Sequence, residues 1–274
     1  MKNLLLRKAL QFPTLIKHKT LSNFSNTESK IFLNSFPKSG THLLSQILLS
    51  TPNFKSYNRF VRHRSSFSFN KLIQDHKIIK SINSSVNHEI LLGHLKYSRD
   101  FIKVLHEANF ISFFIYRDPR DLIVSEANYL CNMNKWHYLH KYFSAVPSFE
   151  DAVSLSINGL PGDFSKIYPN FYKRFAPFLS WINDESVLAL KFENFFDDNV
   201  DLLLRQIKNH LLTGGVSFDA DFTFSKKAIV PSNSHTYRPN GGVGSFRKSF
   251  SNKNIRDFNL VCGDLLDILN YNNF

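Results

Sequence analysis

Cysteine is almost missing from this 274-residue chain, where Cys131 and Cys262 stand alone. Two cysteines make no disulfide framework and no metal-finger spacing, so a reducing, cytoplasmic compartment is expected. Long apolar runs are missing from the N-terminal segment. Between Met1 and Leu21 the longest is Leu4-Leu5-Leu6, followed at once by Arg7 and Lys8. That is too short for a secretory signal and far short of the about 20 residues that span a bilayer. Residues 1–29 therefore read as a terminal extension, with a basic peripheral contact to a membrane surface as the alternative. Acidic residues are outnumbered, 22 Asp and Glu against 34 Lys and Arg, for a formal net charge of +12. The excess implies an anionic partner. The basic residues are scattered, apart from Arg59-Phe60-Val61-Arg62-His63-Arg64, so no nucleic-acid arm is expected. His137 and His140 have no third ligand at metal-site spacing, so no metal is expected. A Walker A loop is missing too: Lys38 precedes Gly40 instead of following a glycine, which weakens an ATPase or GTPase reading.

What the chain does hold is a core and a cradle. With 43% hydrophobic residues and 28 Phe, it can bury a large core as one domain, expected over 30–274. Ile31-Phe32-Leu33 leads into Asn34-Ser35-Phe36-Pro37-Lys38-Ser39-Gly40-Thr41-His42, and Leu43, Leu44, Ile47 and Leu48 lead out. That order predicts a strand over 31–36, a tight turn, and a helix over 40–50. Free backbone N–H groups and the helix dipole would face an anion there. Lys38 adds a charge, and Ser39 and Thr41 add hydroxyls. The stretch is expected to be a phosphate or sulfate cradle.

The remaining pattern alternates. Residues 51–75 read as an irregular, basic and aromatic loop. Strands are expected at Ile78-Ile79, at 89–93 ending at His94, at 110–116 and at 187–192. The run 110–116 is apolar throughout, as a parallel strand buried on both faces requires. Helical character covers 99–109, the segment after Pro119, 148–158, 163–181 and 200–212, the last ended by Gly214-Gly215. Ser251 caps a final helix running to about Tyr271. The alternation predicts an α/β fold, a three-layer sandwich around a mostly parallel sheet. Ligands in such sheets bind beyond the carboxyl ends of the strands, and Lys38, His94 and Arg117 each follow a predicted strand.

These residues resemble the cytosolic-type sulfotransferases. Pro37-Lys38-Ser39-Gly40-Thr41 is similar to that family's 5′-phosphosulfate loop. Arg117-Asp118-Pro119-Arg120-Asp121-Leu122-Ile123-Val124-Ser125 is similar to its 3′-phosphate motif, with Arg and Ser eight positions apart. Gly93-His94-Leu95 falls where the family has its catalytic histidine. Lys191-Phe192-Glu193-Asn194 resembles a family strand end, and Gly241 to Ser251 resembles its C-terminal glycine-rich segment. The matches run in order over about 31–258. Some positions depart from the pattern: Leu43 replaces a Trp, His42 a Thr, and Leu92 a Lys, while Arg238 stands one place from the usual Arg-Lys.

The resemblance implies a P-loop-kinase-like fold and 3′-phosphoadenosine 5′-phosphosulfate (PAPS) as donor, without a metal. It implies in-line transfer of a sulfuryl group to a hydroxyl or amine of a small-molecule, lipid or glycan acceptor. His94 would be the base and Lys38 would stabilise the leaving phosphate. Ser39, Gly40, Thr41 and His42 would hold the 5′-phosphate; Arg117, Ser125, Arg238 and Gly241 would hold the 3′-phosphate. A nucleotide or small-molecule kinase and a non-catalytic anion- or nucleotide-binding protein are the alternatives. The kinase would need Mg²⁺ ligands and a Gly-rich Walker loop, and the sequence offers neither; His94 separates the binding protein from the first reading, since a binding module has no use for a base.

Overall fold

Apolar sequence sets the sheet of this protein, whose computed structural model describes residues 14, 16–18, 28–64, 72–225, 229 and 242–271. The strands are β1 (Lys30–Ser35), β2 (Phe60–Arg62), β3 (Ile90–His94), β4 (Phe110–Tyr116) and β5 (Val187–Lys191). They form a five-stranded sheet in the order β2-β3-β1-β4-β5, every pair parallel. All seven residues of β4 are buried, as its unbroken apolar run requires. The main helices are α1 (Thr41–Leu48), α2 (Asp75–Asn83), α3 (Arg99–Glu107), α4 (Pro119–Asn128), α5 (Phe149–Asn158), α6 (Phe171–Phe175), α7 (Val200–Thr213) and α8 (Asn252–Ile268).

Strand alternation divides the core into two layers. Ile31, Leu33, Ile90, Leu92, Phe113, Ile115 and Leu190 pack under α1 and α7. Phe32, Leu91, Phe114, Tyr116 and Val187 pack under α2 to α6 and α8. This is the expected three-layer α/β sandwich. β1 lies between β3 and β4, so the chain crosses over β1 on its way from β3 to β4. The carboxyl ends of these three strands open side by side, where open α/β sheets bind ligands.

Several local expectations need correction. Ile78-Ile79 is not a strand but lies in α2, where Ile78 and Ile82 bury one helical face. Spacing of four decided against a two-residue β signal. The expected loop 51–75 contains β2, an edge strand of three residues in which only Val61 is buried, too short to register as alternation. The helix expected over 163–181 is broken into Gly162–Lys166, α6 and Ala176–Trp181, the outer two being 3-10 turns. Pro169 and Pro177 interrupt the ladder because they lack the N–H. The final helix is capped by Ser251 with Asn254 in a reciprocal box and stops at Ile268.

Candidate active site

The turn after β1 is shaped from the backbone outward. Lys38 has a φ of 74°, in the left-handed region, which costs a side-chain-bearing residue about 1–2 kcal/mol. Gly40 follows at φ 103°, where a Cβ would lie 2.4 Å from Phe192 Cδ2; glycine is required there. Leu44 N–H makes the first helical bond to the Gly40 carbonyl at 3.1 Å, so the first N–H groups of α1 precede its internal ladder and point out of the sheet end. No acidic residue occupies the first turn of α1. The Ser39 hydroxyl is buried without a hydrogen-bond partner. A buried orphan donor, a helix start and a glycine that keeps the space clear fit an anionic group. Lys38 Nζ lies 4.2 Å from the centre of the Tyr129 ring. Tyr129 opens the π-helical turn Tyr129–Met133, a distortion that often marks functional positions.

His94 closes β3 next to this turn. Asn34, fully buried on β1, donates from Nδ2 to the Leu95 carbonyl and accepts from the Leu95 N–H, both at 2.8 Å. Trp181 Nε1 donates to the same carbonyl at 2.8 Å. The backbone beside His94 is thus fixed from two sides. His94 Nδ1 lies 2.9 Å from the Ser35 carbonyl and 3.1 Å from Ser35 Oγ. A carbonyl only accepts, so the ring proton sits on Nδ1 and Nε2 keeps its lone pair. Ser35 Oγ and Thr41 Oγ1 share a 2.5 Å hydrogen bond, which connects the histidine to the first residue of α1. Burial lowers the His94 pKa to about 4; the Ser35 carbonyl opposes this, and Arg62 and His42 add to it. The ring is therefore neutral near pH 7. Phe60 packs edge-on against it at 4.6 Å between ring centres.

Arg117 leaves the end of β4 with 6% of its surface exposed. Its Nη2 donates to the Gly242 carbonyl at 2.9 Å and approaches Asp121 Oδ2 at 3.4 Å. Its guanidinium lies 4.4 Å from the centre of the Phe192 ring, the ring that also meets Gly40. Asp121, fully buried, accepts from Gly244 N–H at 2.8 Å, Ser245 Oγ at 2.9 Å and Phe246 N–H at 3.0 Å. This carboxylate fastens the C-terminal segment to the start of α4. Arg120 instead grips Asp118 through Nε and Nη2, and Glu193 accepts from Asp118 N–H at 3.0 Å and from the Tyr271 hydroxyl at 2.6 Å. Ser125 stands half-buried two turns into α4.

The fold thus brings Lys38, Ser39, Gly40, Thr41, His42 and His94 to one sheet end, with Arg117 and Ser125 on the adjoining strand and helix. Arg238 and Gly241 lie outside the described residues. Phe192 and Asp121, the two residues that join the halves, lay within the motifs quoted from the sequence but received no role there. Among the described residues no group of three or more His, Cys, Asp or Glu is arranged to hold a metal ion. His137 Nδ1 accepts from Leu139 N–H, while His140 Nδ1 donates to the Leu130 carbonyl. No helix of the described residues is long and apolar enough to cross a membrane.

A family model described as a sulfotransferase domain matches residues 28–205. Among solved structures, mouse sulfotransferase SULT7A1 complexed with PAP has the same fold at a TM-score of 0.57 and 19% identity, over 91% of this chain and 88% of that chain. The sulfotransferase domain from the curacin biosynthetic pathway aligns at a TM-score of 0.41 and 12% identity, over 90% of this chain and 99% of that one. No curated protein matches the sequence.

Proposed function

The chain belongs to the sulfotransferase family, and from that premise we propose that it moves a sulfuryl group from PAPS to a hydroxyl or amine acceptor, with His94 as the base. The observation that carries this reading is the Thr41–Ser35–His94 chain of hydrogen bonds, which ties a neutral histidine to the start of an anion cradle. The mouse relative was solved with PAP, the donor's desulfated product; the cradle here, with its orphan Ser39 hydroxyl and required Gly40, suits the same class of ligand.

PAPS, when bound, supplies the sulfuryl group and the phosphate that leaves with it. The chain's own residues do the rest by position and charge, as in phosphoryl transfer. His94 Nε2 takes the acceptor's proton, and the Ser35 carbonyl steadies the imidazolium through Nδ1–H. Lys38 offsets the negative charge that grows on the leaving phosphate. Ser39, Gly40, Thr41 and His42 hold the 5′-phosphate largely through backbone N–H groups. Arg117, stacked on Phe192, and Ser125 hold the 3′-phosphate, with Arg238 and Gly241 as further contributors. Residues 30–274 act as one domain. Two free thiols, Cys131 and Cys262, suit a reducing, cytoplasmic setting.

A thermal-shift comparison of PAP with ATP–Mg²⁺ tests the assignment, because a ligand that binds only the folded state raises its stability. PAP should raise the melting temperature. Stabilisation by ATP–Mg²⁺ alone would instead support a kinase, and stabilisation without turnover of any hydroxyl acceptor a binding protein.

A further inference from the structure

The basic run 59–64 is divided by the fold. Arg59 turns into the protein, where its Nη1 donates to both oxygens of the buried Glu89 carboxylate at 2.9 Å. His63 faces Asp75 at 3.7 Å. Arg62 ends β2 in register with His94 on β3. Partners on adjacent parallel strands lie about 4.8 Å apart and point to the same face. Phe60, two residues earlier on that face, touches both: its ring meets His94 edge-on, and the Arg62 guanidinium lies 5.6 Å from its centre.

A second group of rings comes from the segment after α4. Tyr129 and His137 stand there with ring centres 6.3 Å apart, and His137 stacks on Tyr138 at 4.7 Å. Because His137 Nδ1 accepts the Leu139 N–H, its ring proton is on Nε2, a donor. Arg62 acts electrostatically on His94 and His137, Tyr129 acts on Arg62, and Arg64 acts on Tyr138. The neighbourhood of His94 and Arg62 thus holds aromatic rings, a half-buried guanidinium and the imidazole of His137.

We propose that the acceptor is an anion, whose carboxylate, phosphate or sulfate group pairs with Arg62 while its hydroxyl or amine lies at His94. This rests on the sulfotransferase reading of the site and names its substrate class. The electrostatics favour it. A guanidinium beside His94 opposes the imidazolium that forms when the acceptor's proton arrives. An anionic group seated on Arg62 cancels that opposition, so the substrate itself restores the basicity that transfer needs. Guanidinium also matches the two oxygens of such a group in a fork.

The test uses matched carboxylate and amide ligands on the full chain loaded with PAP: 4-hydroxyphenylacetate against 4-hydroxyphenylacetamide, and cholate against cholamide, by calorimetric titration. In at least one pair the carboxylate should bind about tenfold tighter, a difference of ~1.4 kcal/mol. In Arg62→Gln the gap should close, and in Arg62→Lys part of it should remain. Where a pair member turns over, the loss should fall on KM more than on kcat. Equal affinities in every pair, no carboxylate binding at millimolar concentration, or a gap that survives Arg62→Gln overturns the proposal. So does a kcat loss equal for charged and neutral acceptors, which would place Arg62 on the transferred group. The PAP melting shift reports separately: its retention in both variants shows an intact fold and donor site, and its absence from the wild type refutes the sulfotransferase reading instead.

Discussion

Replacing Gly40 with alanine should damage both halves of the proposed donor site in one step. At φ 103° an added Cβ lies 2.4 and 2.8 Å from Phe192 Cδ2 and Cε2, and 3.2 Å from Ile115 Cδ1. The left-handed backbone costs a side-chain-bearing residue about 1–2 kcal/mol. Forcing a methyl against a packed ring costs about 1–3 kcal/mol more. The expected loss is therefore roughly 2–5 kcal/mol of unfolding free energy, measurable by urea denaturation. Phe192 is 94% buried and its ring lies 4.4 Å from the Arg117 guanidinium, so relief of the clash must move Arg117. PAP affinity should then fall about tenfold or more, read by calorimetric titration. A Phe192→Leu change in the same chain should return the packing part, about 1–3 kcal/mol, but not the backbone part, because the two residues couple through the shared contact. A Gly40→Ala protein within about 0.5 kcal/mol of wild type, the range of an ordinary surface change, would refute the reasoning. So would the absence of any recovery in the double variant.

Other outcomes follow from the same geometry. His94→Ala should lower turnover by about 10²–10⁴ while PAP still raises the melting temperature; unchanged turnover would remove His94 as the base. With its pKa held near 4 by burial, His94 is neutral above that value and protonated below it. The kcat/KM profile should accordingly stay level through neutrality and fall only as pH approaches 4, and a half-fall near pH 6.5 would contradict it. The same shift, shared by His137, makes the unfolded chain the stronger proton binder between about pH 6.5 and 4, so stability should drop across that window on acidification. Asp121→Ala strands the Gly244 and Phe246 N–H groups beside Arg117 and should cost about 3–5 kcal/mol, with Asp121→Asn milder. Equal stability of all three proteins would show that the carboxylate does not hold the C-terminal segment.

The order of elements was legible in the residues because each long element carries its own period. The run 110–116 is apolar at every position, as a strand between two helical layers must be, and 200–212 is apolar at helical spacing and ended by glycine. Lys38, Ser39 and Gly40 suggested a cradle only in company, because His94 and Arg117 also follow strands, while the stretch alone could equally have been an ordinary strand-to-helix turn. Where signals were short, local reading failed. Ile78-Ile79 lacked the length to distinguish helix from strand, and β2 is three residues whose pairing depends on β3.

Tertiary structure alone decided how the parts face one another. Nothing local makes Phe192 the ring between Gly40 and Arg117, because that contact depends on β4 and β5 pairing in register. Nor does sequence separate Arg59 from Arg62 in one basic run. Arg59 is drawn to a buried carboxylate and Arg62 stands in register with His94, and only the position of an edge strand in the sheet gives them different surroundings. Residue types and their spacing pointed to the sulfotransferase family; long-range strand order determined which of the chain's cations and rings meet at the carboxyl end of the sheet.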